Sequence, residues 1–454
     1  LVGHLAAGAP ACFAQATDGQ LVGTVYDPSG AAVPGVRVEL ADAARGLSFT
    51  ATTDAGGQYR FPNVPIGTYV LSAAADGFAP VRLAGLNITL NTTATRNVTL
   101  ELTGVASTVS VVEAPVAIDT TTAQISAAYQ SRQATDLPMA SLALGAINLS
   151  LLNAGVASSG GYGLGEGPSV GGQRPRNNNF TVEGVDNNRK DVSGSNLRIS
   201  NEATAEITIL QNQFTAEFGH AGGGQFNTVV KSGTNQLHGS VYEYLQNRKL
   251  NALDESSRRS GITEKPRFDD NRLGASIGGP VIKNKLFYFG NFEYNPSGAQ
   301  GSSAAAIMAP TDQGYSMLQS LGGLSQTNLG VLKQYLPAAP TATATTEVSG
   351  AAIPIGELPI TVPQYLNTYN AVASSDYSIS GSDQLRGRFM LNKQSGIDPS
   401  VSPALPSFIE KRVTSAYAAS ISEFHTFNAN LNNELRAGYN RYSDDIPSGS
   451  YEFP

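Results

Sequence analysis

The sequence predicts a mainly β protein, and three observations carry that expectation. The 454 residues include 48 glycines, 18 tyrosines and 17 phenylalanines but only 14% charged side chains, where soluble proteins carry roughly 25%. The N-terminal part repeats short apolar-polar alternations between turn clusters. The C-terminal half repeats longer alternations of the same period of two, the spacing at which side chains share one face of a strand.

Composition also excludes several classes. A chain of this length exceeds one ordinary domain. It has no apolar run of about 18 residues, so a membrane-spanning helix is excluded, whereas a barrel of alternating strands escapes hydropathy windows. A net charge of −7 offers no basic face to nucleic acid. Tryptophan is absent, so the aromatic girdles of a membrane barrel would fall to Tyr and Phe.

The chain opens LVGHLAAGAPACFAQA, and Ala14-Gln15-Ala16 is the small-x-small pattern of a secretory cleavage site without its basic n-region. Residues 1–16 therefore read as a truncated signal peptide. Cys12, the only cysteine, would leave with it, and no disulfide is expected.

From residue 20 to 102 the runs Val36-Val38-Leu40, Tyr59-Phe61, Tyr69-Leu71 and Val98-Leu100 alternate between turn clusters such as Asp27-Pro28-Ser29-Gly30 and Asp54-Ala55-Gly56-Gly57. Strands at this spacing make a small sandwich. The acidic residues Asp27, Asp54 and Asp76 fall in turn contexts, and the segment has neither His nor Cys. Residues 103–129 follow as a linker, STVSVVEAPVAIDTTT at its centre, extended and rich in β-branched side chains.

The stretch Ala205 to Gly239 then sets the organisation of everything after it. Ile207 and Ile209 belong to one short strand and QFNTVVKSG to a second, with Gly219, Gly222, Gly223 and Gly224 between them. Glycines there permit positive φ and close backbone approach. Upstream, Leu142–Leu152 is the best helical stretch. Downstream, barrel-type strands are expected near 236–246, 270–280, 285–295, 366–380, 384–394, 411–425 and 433–443. Leu385, Gly387, Phe389 and Leu391 alternate with Arg386, Arg388, Met390 and Asn392, as a strand between lipid and water requires. Leu435, Ala437 and Tyr439 against Arg436, Gly438 and Asn440 repeat the pattern. Short turns alternate with long connections, the longest from Pro296 to about Gln364.

Two resemblances add to this reading. Gly-Thr-Val-x-Asp-x-x-Gly-x-x-Val-Pro-Gly-Val-x-Val from Gly23, Thr53-Asp54…Gly57…Tyr59…Phe61 and Val64-Pro65…Gly67…Tyr69 resemble the carboxypeptidase regulatory-like domain. That implies a non-catalytic, prealbumin-like sandwich grouped with carbohydrate-binding-like modules, acting as a rigid spacer or as a sugar binder. Glu217-Phe218-Gly219, Gly222-Gly223-Gly224, Asn227, Lys231-Ser232-Gly233-Thr234-Asn235 and His238-Gly239-Ser240-Val241-Tyr242-Glu243-Tyr244 resemble the end of the plug and first barrel strand of a TonB-dependent outer-membrane receptor of the Oar-like type.

The resemblance implies an α+β plug over 130–235 and a partial antiparallel transmembrane barrel over 236–454. Seven strands are about a third of the roughly 22 of a plugged transporter, so the chain is expected to be an N-terminal fragment of a longer product. Plug motif residues would be Arg174, Asn178, Glu183, Gly184, Asp186, Gly222, Gly223, Gly224 and Lys231, with Glu183-Gly184 where the family often shows Asp-Gly. Arg174, Arg176 and Asp186 are candidates for contacts with a polar lumen. The energy-coupling segment would be Val109-Ser110-Val111-Val112-Glu113, able to add as a strand to a partner's sheet.

No enzyme chemistry is expected. Gly167-Pro168-Ser169-Val170-Gly171 matches G-x-S-x-G without the strand and helix that a nucleophile elbow needs. The histidines His4, His220, His238 and His425 are far apart in sequence and form no recognisable metal-ligand motif. Gly161-Tyr162-Gly163-Leu164-Gly165 lacks the sixth-position glycine of a dinucleotide loop, and no cofactor is implied. The resemblance to TonB-dependent receptors implies active uptake of an unidentified ligand, siderophore or oligosaccharide, across the bacterial outer membrane. Its partners would be an inner-membrane TonB-type complex and outer-membrane lipid, with the sandwich in the periplasm. The alternative is a non-transporting outer-membrane surface protein with a carbohydrate-binding-like domain. Expressed alone, residues 20–102 are expected to fold as a soluble unit.

Overall fold

The computed structural model describes residues 17–103, 110–113, 124–137, 142–158, 167–190, 194–212, 218–219, 221–253, 258, 265, 267–302, 307–358, 361–397, 411–428 and 431–445. Residues 1–16, which hold the expected signal peptide, lie outside these, as do His220 and Val109. The fold is mainly β, as the sequence predicts.

Two sheets form the N-terminal sandwich. One orders Gln58–Val64, Gly19–Tyr26 and Thr93–Thr95, with Val98–Thr99 also on Gly19–Tyr26. The other runs Ser110–Glu113, Val81–Ile88, Gly67–Ala74, Arg37–Asp42 and Leu47–Thr52. The alternating runs read from the sequence supply the core between them: Val36, Val38, Leu40, Tyr59, Phe61, Tyr69, Leu71, Val98 and Leu100 are all buried. Asp27 accepts from the Ser29 and Ala31 amides and Asp54 from the Gly56 and Gln58 amides, so these carboxylates build turns.

The plug is a five-stranded sheet ordered Ile125–Gln130, Thr204–Asn212, Gln225–Val230, Asn179–Val182 and Val185–Asp186. Its first strand begins inside the stretch read as linker. Thr204–Asn212 and Gln225–Val230 pair antiparallel across the glycine-rich connection, with Ile207, Ile209, Phe180 and Phe226 in the core. Leu142–Leu152 is a 3₁₀ helix, not an α-helix. Its Leu149 is buried against this core while Leu152 is exposed. Leu, Ile and Ala occur all around such a segment, and Gly145 weakens α-helical propagation.

Seven antiparallel strands follow in sequence order: His238–Asn247, Phe268–Ile282, Leu286–Ser302, Thr361–Ser378, Asp383–Ile397, Arg412–Asn428 and Leu431–Asp445. They form one open meander, and no closed barrel is found among the described residues. The sheet's two faces differ chemically. Asn291, Glu293, Asn370, Ser374, Arg388, Asn392 and Ser420 point to the buried side, beside Phe289, Val372, Met390 and Ala418. Phe292, Phe389, Ile421, Leu435 and Tyr439 are exposed on the other. An apolar exterior over a polar interior is the arrangement of a membrane barrel wall. No described helix is long and apolar enough to cross a membrane.

The long connection after Leu286–Ser302 folds on its own account. Ile307–Pro310, Ala351–Leu358 and Ala344–Val348 make a three-stranded sheet covered by the helices Asp312–Ser320 and Gln326–Tyr335. Tyr315, Leu318, Leu329 and Ile353 fill its core. Thr311 and Ser325 cap the two helices through their side chains.

Candidate functional site

The site is the junction at which sandwich, plug and strand wall meet. Strand alternation puts Arg386 and Arg388 on the inner face of Asp383–Ile397, and Arg436 on the inner face of Leu431–Asp445. Arg386 donates two hydrogen bonds to Asp18 of the sandwich, at 2.6 and 2.9 Å, with its guanidinium 4.3 Å from the centre of the Phe424 ring. Arg436 donates to Thr17 at 3.0 Å and to Ser422 at 3.0 Å. The wall therefore grips Thr17 and Asp18 at the N-terminal edge of the described sandwich.

Arg388 grips the plug. It pairs with Asp376 on the neighbouring strand at 2.7 Å and with Glu183 of the plug at 3.3 Å. Asp376 also accepts from Ser232, at the plug's exit into the first wall strand. Glu183 accepts from the Val230 amide at 2.7 Å. These charges are almost wholly buried. Removing one member would strand the others in a medium where an uncompensated charge costs about 3–5 kcal/mol.

The backbone explains why Glu183-Gly184 stands here. Thr181 pairs with Asp186 and Val182 with Val185, leaving a two-residue turn in which Glu183 has φ 51° and Gly184 φ 68°. Positive φ at both positions is the type I′ hairpin, which favours Asn, Asp and Gly. The longer glutamate accepts some strain and reaches the arginine. Its neighbour Val185 packs against Gly438, where an added Cβ would lie 2.7 Å from the valine methyl. Asn440 donates to the Asp186 carbonyl, and Arg189 lies 4.7 Å from the centre of the Tyr442 ring. A second polar group joins plug to wall through Glu293, which accepts from Ser200 at 2.7 Å and Tyr242 at 3.0 Å.

The sandwich also holds the plug directly. Leu90 donates its amide to Glu206 at 2.6 Å and accepts from Thr208 at 3.3 Å. Burial pushes the Glu206 carboxyl up to about 7, against the opposing pull of its hydrogen bonds from Leu90 and Thr208. Asn235 donates its amide to Ala44 of the sandwich at 2.9 Å and its side chain to Asn284 at 2.7 Å. Asn284 lies in the short connection between two wall strands. A cavity of about 390 Å³ remains at the junction, lined by Asp18, Asp42, Arg45, Lys231, Asp376 and Arg388 among others.

The other sequence-derived residues distribute unevenly around this junction. Asn178 is buried, donates to the Pro168 carbonyl at 2.8 Å and accepts from the Gly224 amide at 2.9 Å. None of Gly222, Gly223 and Gly224 has positive φ among the described glycines, which corrects that half of the reading. Close approach decides two of them: a Cβ on Gly223 would meet Asn178 Oδ1 at 2.5 Å, and one on Gly224 would meet Val170 at 3.0 Å. Lys231 accepts from Ser374 through its carbonyl at 2.7 Å, and desolvation holds its ammonium below the usual lysine range. Arg174 and Arg176 are exposed on a 3₁₀ turn, Pro175–Asn177, while Glu183 and the carbonyl of Asp186 meet the wall.

The candidate coupling strand has a partner already. Ser110–Glu113 pairs in parallel with Val81–Ala84 and forms the edge of the sandwich's larger sheet. Its backbone is therefore not free, because an extended β-branched segment next to an open sheet edge completes that edge. Sequence reasoning missed Asp18, Glu206 and Asp376. A usable signal existed for the wall arginines, since two Arg at i and i+2 on one strand face demand buried anions.

Residues 229–453 match the family described as outer membrane beta barrel domain, and residues 20–101 match the carboxypeptidase regulatory-like domain. This is a bacterial outer-membrane protein, similar to TonB-dependent transporters. Over 293 residues it is 28% identical to the TonB-dependent transporter Oar of Myxococcus xanthus, covering 62% of this chain and 27% of that protein. Over 122 residues it is 30% identical to a probable TonB-dependent siderophore receptor, PirA, of Acinetobacter baumannii, covering 26% of this chain and 14% of the relative. The chain thus spans well under a third of the length of either relative. Among solved structures, the outer membrane transporter YddB of Escherichia coli aligns over 70% of this chain and 39% of its own at 13% identity, with a TM-score of 0.46. The A. baumannii PirA crystal structure aligns over 70% and 40% at 16% identity, with a TM-score of 0.45.

Proposed function

We propose that this chain supplies the sandwich, plug and wall strands of a TonB-dependent transporter that takes up a ligand actively across the outer membrane. The observation that carries the reading is a five-stranded plug held against the polar face of a strand sheet whose other face is apolar. The plug is held by a buried apolar cluster, in which Val182, Leu197 and Val230 of the plug meet Phe289, Val372 and Met390 of the wall, and by polar links from Arg388 to Glu183, Glu293 to Ser200 and Asn440 to Asp186. The polar links are directional and can be exchanged for water when the plug is pulled. The sandwich packs at the short-turn end of the wall, which on this reading is the periplasmic end. The folded insertion at 307–358 then stands at the extracellular end, where a siderophore or oligosaccharide would first be met.

On the same reading Ser110–Glu113 is the segment that an inner-membrane TonB-type complex engages. As the terminal strand of its sheet it keeps one unpaired edge, onto which a partner strand can add. Uptake of labelled ferric siderophores and oligosaccharides by cells carrying the whole gene tests this, with and without the coupling protein. Uptake should cease without that protein and with Val111→Pro, which removes a backbone donor from the strand. Uptake indifferent to both changes would refute the proposal.

A further inference from the structure

On the outward face of the same wall, near its short-turn end, three side chains converge that the plug and sandwich do not use. Asp383 and His425 are direct cross-strand partners. Glu423 precedes His425 by two residues, so alternation places all three on one face. That face also carries the exposed Phe389 and Ile421, while Arg386, Arg388 and Phe424 point the other way. One ligand atom from each of Asp383, Glu423 and His425 lies within 4.8 Å of the other two. His425 Nδ1 stands 2.5 Å from Asp383 Oδ1, and the edge of its ring packs against Phe427 at 4.2 Å between centroids.

Apart from His425, no cationic side chain pairs with these two carboxylates among the described residues. Asp383 accepts otherwise from the Ser380 hydroxyl, and Glu423 from the Asn433 amide at 3.4 Å. Two half-buried carboxylates beside one imidazole form an anionic site that lacks its cation. One nitrogen and two oxygens suit zinc and the other borderline divalent ions, which take imidazole and carboxylate together. Calcium, with its six to eight oxygens, does not fit so small a set.

We propose that Asp383, Glu423 and His425 form a divalent transition-metal site of the zinc class, clipping strand Asp383–Ile397 to strand Arg412–Asn428 on the outer rim of the wall. Donors about 2.0–2.2 Å from a tetrahedral ion stand roughly 3.4 Å apart, so on binding His425 Nδ1 and Asp383 Oδ1 separate from 2.5 Å by rotation of their side chains. The ion takes the place of the proton shared by His425 and Asp383, and the ring proton resides on Nε2.

The test uses the full chain in detergent micelles, stripped with chelator and titrated with Co²⁺. Saturable visible absorption of a tetrahedral or five-coordinate cobalt centre is expected, displaced by Zn²⁺. It should be lost in His425→Gln and Glu423→Gln. The variant His425→Cys should restore binding and add a thiolate-to-cobalt charge-transfer band, which a misfolded protein would not give. Absence of saturable absorption in the parent chain would overturn the proposal. So would signals in the two glutamine variants equal to the parent's.

Discussion

Replacing Glu206 with glutamine should make the contact between sandwich and plug independent of pH. The carboxyl sits at about 7 when docked, raised by burial from an ordinary value of 4.5. A folded-state value above the free one means that the docked form prefers the proton. The contact is therefore strongest below about pH 4.5, weakens as pH rises toward 7 and is constant above that. At about 1.36 kcal/mol per unit the loss across this window is about 3 kcal/mol, or roughly 300-fold in the opening equilibrium. Glutamine keeps an acceptor for the Leu90 amide and has no proton to lose. Hydrogen exchange at the Leu90 amide reports this opening directly, because that amide donates to Glu206 in the docked state. In the parent chain its protection, corrected for the intrinsic base-catalysed rate, should fall between pH 4.5 and 7, while Glu206→Gln stays flat and exceeds the parent at pH 8. The Leu71 amide, in the sandwich core, should not change. Parallel profiles for parent and variant would show that the carboxyl does not govern the contact.

Three further perturbations test the junction and the two faces of the wall. Arg388→Met should leave Glu183 and Asp376 buried without a cation and destabilise plug seating by about 3–5 kcal/mol; limited proteolysis should then cleave within the plug while the sandwich stays intact, and unchanged resistance would count against the ion-pair grip. Phe389→Arg places a charge at the middle of the outward face and should cost about 2–4 kcal/mol in urea unfolding from lipid vesicles; a neutral result would mean that this face does not meet lipid. Gly438→Val should lower thermal stability by about 1–3 kcal/mol through overlap with Val185, and Val185→Ala in the same chain should recover most of it.

Much of the architecture was legible in the chain because it is local. Period-two alternation marked all seven wall strands, and the core of the sandwich is made of the runs that the alternation picked out. The strand ends were less legible: Leu286–Ser302 and Thr361–Ser378 reach past the expected limits through polar residues that the ladder itself holds extended. The insertion at 307–358 was read only as a connection, since its helices are short and owe their order to a core shared with strands far away in sequence.

What the sequence by itself determined is the β class, the strand pattern and which side of Asp383–Ile397 and Leu431–Asp445 is polar, while the order sandwich, plug and wall rested on family resemblance. The strand pattern and the polar sides follow from side-chain spacing along one segment. Only the tertiary structure decided the pairings: Asp18 with Arg386, Glu183 and Asp376 with Arg388, Leu90 with Glu206, and Asp383 and Glu423 with His425. Each joins residues from different strands or different domains, and alternation can say that an arginine faces inward but not which anion meets it there. The same holds for Ser110–Glu113, whose composition requires a strand partner while only the fold supplies the open edge at Val81–Ile88. Local spacing sets the faces, and the packing of distant segments sets the energetics of what those faces hold.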